Sequence, residues 1–117
     1  MTGGPDAAAA RRRIEERLAE LRRLSEIGRA ARETVTLDQT SVGRLSRMDA
    51  MQRKAMADAE EARRQAEILR LERALKLIDE GEYGWCASCG EEIAPARLEV
   101  DPAATLCVRC AQRAQRA

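Results

Sequence analysis

The sequence predicts a mainly α protein, a long antiparallel helical hairpin of coiled-coil type with a small four-cysteine finger at its C-terminal end. Three observations predict it. Apolar residues recur every three or four positions along two long stretches that are otherwise rich in Arg and Glu. A short interval of β-branched and turn-forming residues separates those stretches. All four cysteines fall in the last third, as two Cys-x-x-Cys pairs, in a chain without histidine. The 117 residues suit one domain, with apolar content of 44%, much of it alanine. With no Phe, and Tyr83 and Trp85 as the only aromatics, the chain lacks the large side chains that build a thick core.

Residues 1–10 read as a flexible leader, and Asp6 as a cap for a first helix from about Ala7 to about Arg32. Ile14, Leu18, Leu21, Leu24 and Ile27 fall on one stripe of that helix. Gly28 weakens its last turn. From Glu33 the pattern breaks: Thr34, Val35, Thr36, Thr40 and Val42 are β-branched, and Asp38 and Gly43 favour turns. This places the hairpin tip near residues 33–46. Ser46 with Asp49 resembles a capping box, and Ser41 is an earlier alternative start for the second helix.

The second helix then runs to about Glu80, where Gly81 stops it. Ala55, Ala59, Ala62, Ala66 and Leu69 follow a 4-3-4-3 spacing, preceded by Leu45 and Met48, which reads as a heptad seam. Leu71, Leu75 and Ile78 form a second stripe, suited to face the cysteine module. Glu60 with Arg64, and Glu72 with Lys76, stand at i,i+4 in the favourable order. The hairpin occupies residues 11–80, with the first helix shorter than the second. The finger and a short tail occupy residues 81–117.

In the finger, Cys86-Ala-Ser-Cys89 and Cys107-Val-Arg-Cys110 are separated by seventeen residues. Two residues between cysteines let both thiolates of a pair turn onto one ion, and two such knuckles complete a sulfur tetrahedron around zinc. Gly90 suits the tight backbone of a knuckle. A redox Cys-x-x-Cys lacks its βαβ surroundings here and would leave one pair unexplained. Four thiolates close the coordination sphere, so the predicted cofactor is one structural zinc.

Several function classes are disfavoured. Without His the commonest general base is missing, and no phosphate loop or nucleophile motif appears, so the chain does not read as an enzyme. Charged residues reach 35% yet the net charge is +1, the pattern of solvated helix faces rather than of an anion-binding surface. No apolar run approaches the roughly 20 residues that cross a bilayer, and the start lacks signal-peptide regions, which together point to the cytoplasm. From Glu82 onward five acids (Glu82, Glu91, Glu92, Glu99, Asp101) face four arginines (Arg97, Arg109, Arg113, Arg116), which argues against a zinc-ribbon nucleic-acid binder. A coiled-coil adaptor that oligomerises through the alanine seam is a further alternative.

The stretch Gly81-Glu-Tyr83-Gly84-Trp-Cys86-x-x-Cys89-Gly90-x-x-Ile93-x-x-x-Arg97-Leu98-x-x-x-Pro102-x-x-x-x-Cys107-x-x-Cys110 closely resembles the zinc finger of the DksA/TraR family. The resemblance implies a monomeric bacterial transcription regulator that binds RNA polymerase directly and not DNA. It implies that the hairpin enters the polymerase secondary channel, with the finger near the rim and the tip acting on the active-site region. Tip contacts would fall to Asp38, Gly43, Arg44, Ser46 and Arg47. Well-understood members carry Asp-x-x-Asp-x-Ala at the tip. Here Gly43 and Ser46 take the places of the two acids, so channel entry is implied but not the same effect on the active site. Where members that respond to the alarmone ppGpp offer a basic residue just before the finger's proline, this chain has Asp101, and little or no ppGpp dependence is expected.

Overall fold

The computed structural model describes residues 7–38 and 44–116. The predicted Asp6 cap and Gly43 lie outside the described residues. In chain order the helices are α1 (Ala7–Asp38), α2 (Arg44–Asp79), α3 (Pro95–Val100) and α4 (Val108–Arg116). Among the described residues there is no strand, only one antiparallel bridge between Trp85 and Glu92. The chain forms two compact units, one of residues 19–68 and one of the chain on either side of it.

Both long helices reach further toward the turn than expected. α1 continues past Arg32 to Asp38, through Thr34-Val35-Thr36. A β-branched residue costs a helix at most about 0.7 kcal/mol relative to Ala, whereas each residue added to a formed helix gains a hydrogen bond. Three such residues do not outweigh propagation. α2 starts at Arg44, so Ser46 sits in its first turn instead of capping it. Helical residues thus extend into the predicted interval 33–46 from both sides. Gly28 lies inside α1, not at its end. At about 1.5 Å per residue, the 32 residues of α1 span about 48 Å and the 36 of α2 about 54 Å. The expected shortfall of the first helix is therefore small.

The unit built from the two chain ends contains the first turns of α1, the last turns of α2, and the finger. Ala10, Ile14 and Leu18 are buried on α1, and Leu71 and Ala74 on α2. Leu75 and Ile78 of the predicted second stripe are half-buried. Arg11 forms an ion pair with Asp79. α2 ends as the sequence indicates: Gly81 has φ +75°, its N–H donates to the Ile78 carbonyl at 3.1 Å, and the Glu82 N–H donates to the Leu77 carbonyl at 2.9 Å. That pair of bonds is a Schellman closure, which requires a left-handed residue where glycine stands.

The unit of residues 19–68 departs from the predicted seam. On α1 the stripe holds at Leu21, but Leu24 is 38% and Ile27 59% exposed, while Ser25 and Gly28 turn inward as half-buried residues. On α2 the alanine heptad is exposed throughout: Ala55, Ala59, Ala62 and Ala66 face outward, and Leu69, just beyond this unit, is 62% exposed. The less exposed positions of α2 are Ala50, Ala57, Glu61, Arg64, Glu67 and Ile68. At about 100° per residue, the stripe through Ala57, Glu61, Arg64 and Ile68 lies about 160° from the alanine stripe. The physical reason is that alanine carries little apolar area and fits a solvated face as well as a buried one. The true seam was masked because Glu61 and Arg64 occupy it.

Those two residues are paired. Glu61 accepts from Arg64 Nη1, from Gln65 Nε2 at 2.8 Å, and from the Ser25 hydroxyl at 2.9 Å across from α1. Arg64 therefore pairs with Glu61 and not in the predicted i,i+4 arrangement with Glu60.

Candidate metal centre

The finger begins where α2 is closed off. Gly84, at φ +95°, turns the chain so that its carbonyl accepts the Ile93 N–H at 2.8 Å. The Cys86 N–H donates to the Glu91 carbonyl at 2.8 Å, and the Ala87 N–H to the Thr105 carbonyl at 2.8 Å. These bonds tie the first knuckle into a loop and fasten that loop to the segment before the second knuckle. Gly90, at φ +77°, donates its N–H to the Cys86 carbonyl at 3.0 Å, closing the knuckle turn that its sequence position indicates.

The second knuckle is held from below. Pro95 opens α3, where the missing N–H of proline costs nothing, and α3 buries Leu98. Arg97 Nε donates to the Leu106 carbonyl at 2.9 Å, and the Tyr83 hydroxyl donates to the Pro102 carbonyl at 2.8 Å. Ile93, with no exposed surface, forms one buried cluster with Cys86, Leu98, Ala104 and Cys110, flanked by Tyr83, Leu106 and Cys107. Burial also pushes the Tyr83 phenol above its ordinary pKa. Trp85 contributes no core, being 52% exposed.

The geometry brings the four sulfurs together, all within 4.8 Å of one another. The knuckles are alike: the Cys89 N–H points to Cys86 Sγ at 3.5 Å, and the Cys110 N–H to Cys107 Sγ at 3.5 Å. Cys89 Sγ and Cys107 Sγ stand 3.8 Å apart. A sulfur tetrahedron with Zn–S bonds of about 2.3 Å has edges of about 3.8 Å, so the cluster fits one zinc ion. Cys86 and Cys110 sit in the buried cluster, while Cys89 is exposed and Cys107 half-exposed. The exposed pair borders a groove of about 840 Å³, with Glu91 and Glu92 along it as well as Arg109 and Arg113 of α4.

The thiols perturb one another. Cys86 falls to about 6, chiefly because the backbone N–H of Cys89 stabilises its thiolate. Cys110 rises to about 11, chiefly through its contact with Cys107, with burial adding to the rise. Acids sharing one site cannot all ionise together. A divalent cation removes that conflict and lets four thiolates coexist.

Of the predicted tip residues, the structure places Asp38 at the end of α1 and Arg44 at the start of α2, with Ser46 and Arg47 exposed in the first turns of α2. Sequence reasoning missed one feature beside the finger: Arg70 of α2 donates to Asp101 at 2.7 Å. Their distance in sequence left no periodic signal from which to read it.

Residues 81–116 match the prokaryotic dksA/traR C4-type zinc finger. Curated relatives described as RNA polymerase-binding transcription factor DksA are similar over 41 to 49 residues. The Escherichia coli K12 protein is 44% identical over 43 residues, covering 37% of this chain and 28% of that one. The Haemophilus influenzae protein is 46% identical over 41 residues, covering 35% and 28%. The Caulobacter vibrioides protein is 41% identical over 49 residues, covering 42% and 34%. The matched segment thus spans about a third or less of these relatives. The solved structure of transcription factor DksA2 from Pseudomonas aeruginosa superposes with a TM-score of 0.76 at 22% identity, covering 94% of this chain and 83% of that one. That likeness gives the mainly helical fold, and the family match with the cysteine cluster gives the four-cysteine zinc finger.

Proposed function

From a chain that carries the DksA/TraR family's C4-type zinc finger at residues 81–116, we propose a bacterial transcription regulator that binds RNA polymerase directly. In this reading the helical hairpin enters the secondary channel and the zinc finger holds the base. The observation that carries it is the finger itself. Four sulfurs converge within 4.8 Å, inside the segment that matches the family's zinc finger, and curated relatives of the chain are described as RNA polymerase-binding transcription factors. The zinc is structural, since four thiolates leave no position for water or substrate. No catalytic role is assigned to any residue. Among the described residues no helix is long and apolar enough to cross a membrane, and we place the protein in the cytoplasm, acting as a monomer.

Asp38, Gly43, Arg44, Ser46 and Arg47 are proposed as tip contacts. With Gly43 and Ser46 in place of two acids, the tip would enter the channel without delivering carboxylates to the active-site region. A second reading, a coiled-coil adaptor, is favoured by one observation: Ala55, Ala59, Ala62 and Ala66 are all exposed at heptad spacing.

The deciding experiment is binding of labelled, zinc-loaded protein to bacterial core RNA polymerase, in competition with a transcript-cleavage factor that occupies the secondary channel. Competitive binding is the expected result. A folded, zinc-loaded protein that does not bind polymerase and sediments as a salt-insensitive dimer would instead establish the adaptor.

A further inference from the structure

The described residues of the unit 19–68 bury little apolar material. Among its described residues the buried side chains are Leu21, Ala50 and Ile68. Between them the seam is lined by Ser25 and Gly28 on α1 and by Ala57, Glu61, Arg64 and Glu67 on α2, all half-buried. A seam of small and polar residues gains little from the hydrophobic effect.

Across this seam runs a connected polar layer. The Ser25 hydroxyl crosses from α1 to Glu61 Oε2 at 2.9 Å. Gln65 Nε2 donates to the same carboxylate oxygen at 2.8 Å and reaches Ser25 Oγ at 3.3 Å. Arg64 Nη1 donates to Glu61 Oε1. The side chains of Arg64 and Glu61 are 18% and 19% exposed, so this pair is half-buried and less exposed than Arg11–Asp79, Lys54–Asp58 and Arg70–Asp101. A half-buried charge is tolerated while its partners remain, and becomes less favourable when one is taken away. Each bond in the layer therefore depends on the others.

We propose that the Ser25–Glu61–Arg64–Gln65 layer is a latch that holds α1 and α2 together through residues 19–68. Breaking it opens this helical pair locally, while the unit containing the finger keeps its fold. Segments with few buried apolar contacts open at the low end of a protein's free-energy range, and the polar layer adds resistance to that opening. In single polar positions of coiled coils, such layers fix register at a cost in stability. The latch is a property of the free protein. Only its consequence, an arm able to adapt as it enters a channel, rests on the proposed function.

Hydrogen exchange read by mass spectrometry on the zinc-loaded 117-residue chain tests it, with Ser25→Ala/Glu61→Ala beside the parent. Amides of residues 47–60 should exchange about tenfold or more faster in the variant, as expected for the loss of two or three coupled hydrogen bonds. Amides of residues 93–98 and 108–113 should keep the parent's rates. Unchanged exchange at 47–60 would overturn the latch, and so would equal acceleration in every segment, which would make the chain one cooperative unit. Should the double variant not fold, Ser25→Ala alone decides: faster exchange confined to residues 19–68 supports the latch, and the parent's rate there overturns it.

Discussion

Arg70 of α2 donates from Nη2 to Oδ2 of Asp101 at 2.7 Å, in the turn directly before Pro102. The other carboxylate oxygen of Asp101 accepts the Ala103 N–H at 3.2 Å. Both oxygens of the acid are engaged, and the cation that stands beside it is already paired. The pair is half-exposed, with side-chain exposures of 49% and 38%, so its removal changes stability by about 1 kcal/mol or less.

An anionic nucleotide therefore meets a carboxylate and an occupied arginine at this turn. If the protein acts on transcription as proposed, ppGpp should leave its effect unchanged in a reconstituted promoter assay. Asp101→Lys removes the acid and frees Arg70, and should introduce a ppGpp response if the nucleotide docks here. A clear ppGpp enhancement with the parent protein would show that Asp101 does not exclude it.

Removal of zinc should unfold the finger and spare much of the helical signal. Titration with a chelator, followed by amide NMR of residues 84–112, should show loss of dispersion there. Protons compete with the ion for four thiolates, so zinc affinity should fall steadily as pH drops below neutrality. A finger that keeps its dispersion after complete metal removal would refute a structural role for zinc.

Burial separates apolar residues that the sequence alone ranks together. Ile93→Ala removes a side chain with no exposed surface from the finger cluster and should cost about 2–5 kcal/mol. Leu24→Ala and Ile27→Ala remove exposed side chains and should change stability by about 0.5 kcal/mol or less. Thermal denaturation of the zinc-loaded variants checks all three. A large loss at Ile27 would mean that the seam runs where the periodicity puts it.

Glu61 is held below the ordinary carboxylate range, first by the hydrogen bond from Gln65, then by those from Ser25 and Arg64. A carboxylate with a depressed folded pKa stabilises the fold above its unfolded pKa, and the contribution disappears as pH falls through the folded value. Stability of residues 19–68 should thus be flat near neutrality and decline on acidification below the ordinary glutamate range. In Glu61→Gln that part of the decline should be missing, as read from amide exchange of residues 47–60 against pH.

The proposed tip contacts predict a separation of binding from effect. Asp38→Ala/Arg44→Ala should bind polymerase within about threefold of the parent, while the transcription effect is lost. Loss of binding instead would move the principal contact away from these residues.

The finger was the most legible part of the chain. Cysteine chemistry leaves few choices: two Cys-x-x-Cys knuckles without histidine have one economical use, and Gly81 and Gly90 stand where left-handed backbone is needed. The helices were legible as helices, because periodicity survives composition. Their inner ends were not, since Thr34, Val35 and Thr36 look like breakers in isolation yet continue a helix that is already formed. The alanine heptad misled for a related reason. Its spacing is regular, but its side chains carry too little area to decide which face turns inward.

By itself, the sequence determined the helical class, the place where α2 stops, and the four sulfurs of the metal site, because each rests on local backbone and ligand chemistry. Only the tertiary structure decided which face of α2 turns inward, that Glu61 and Arg64 share the seam with Ser25, and that Arg70 engages Asp101. Those choices depend on groups far apart in the chain, whose mutual satisfaction outweighs the preference of any residue taken alone.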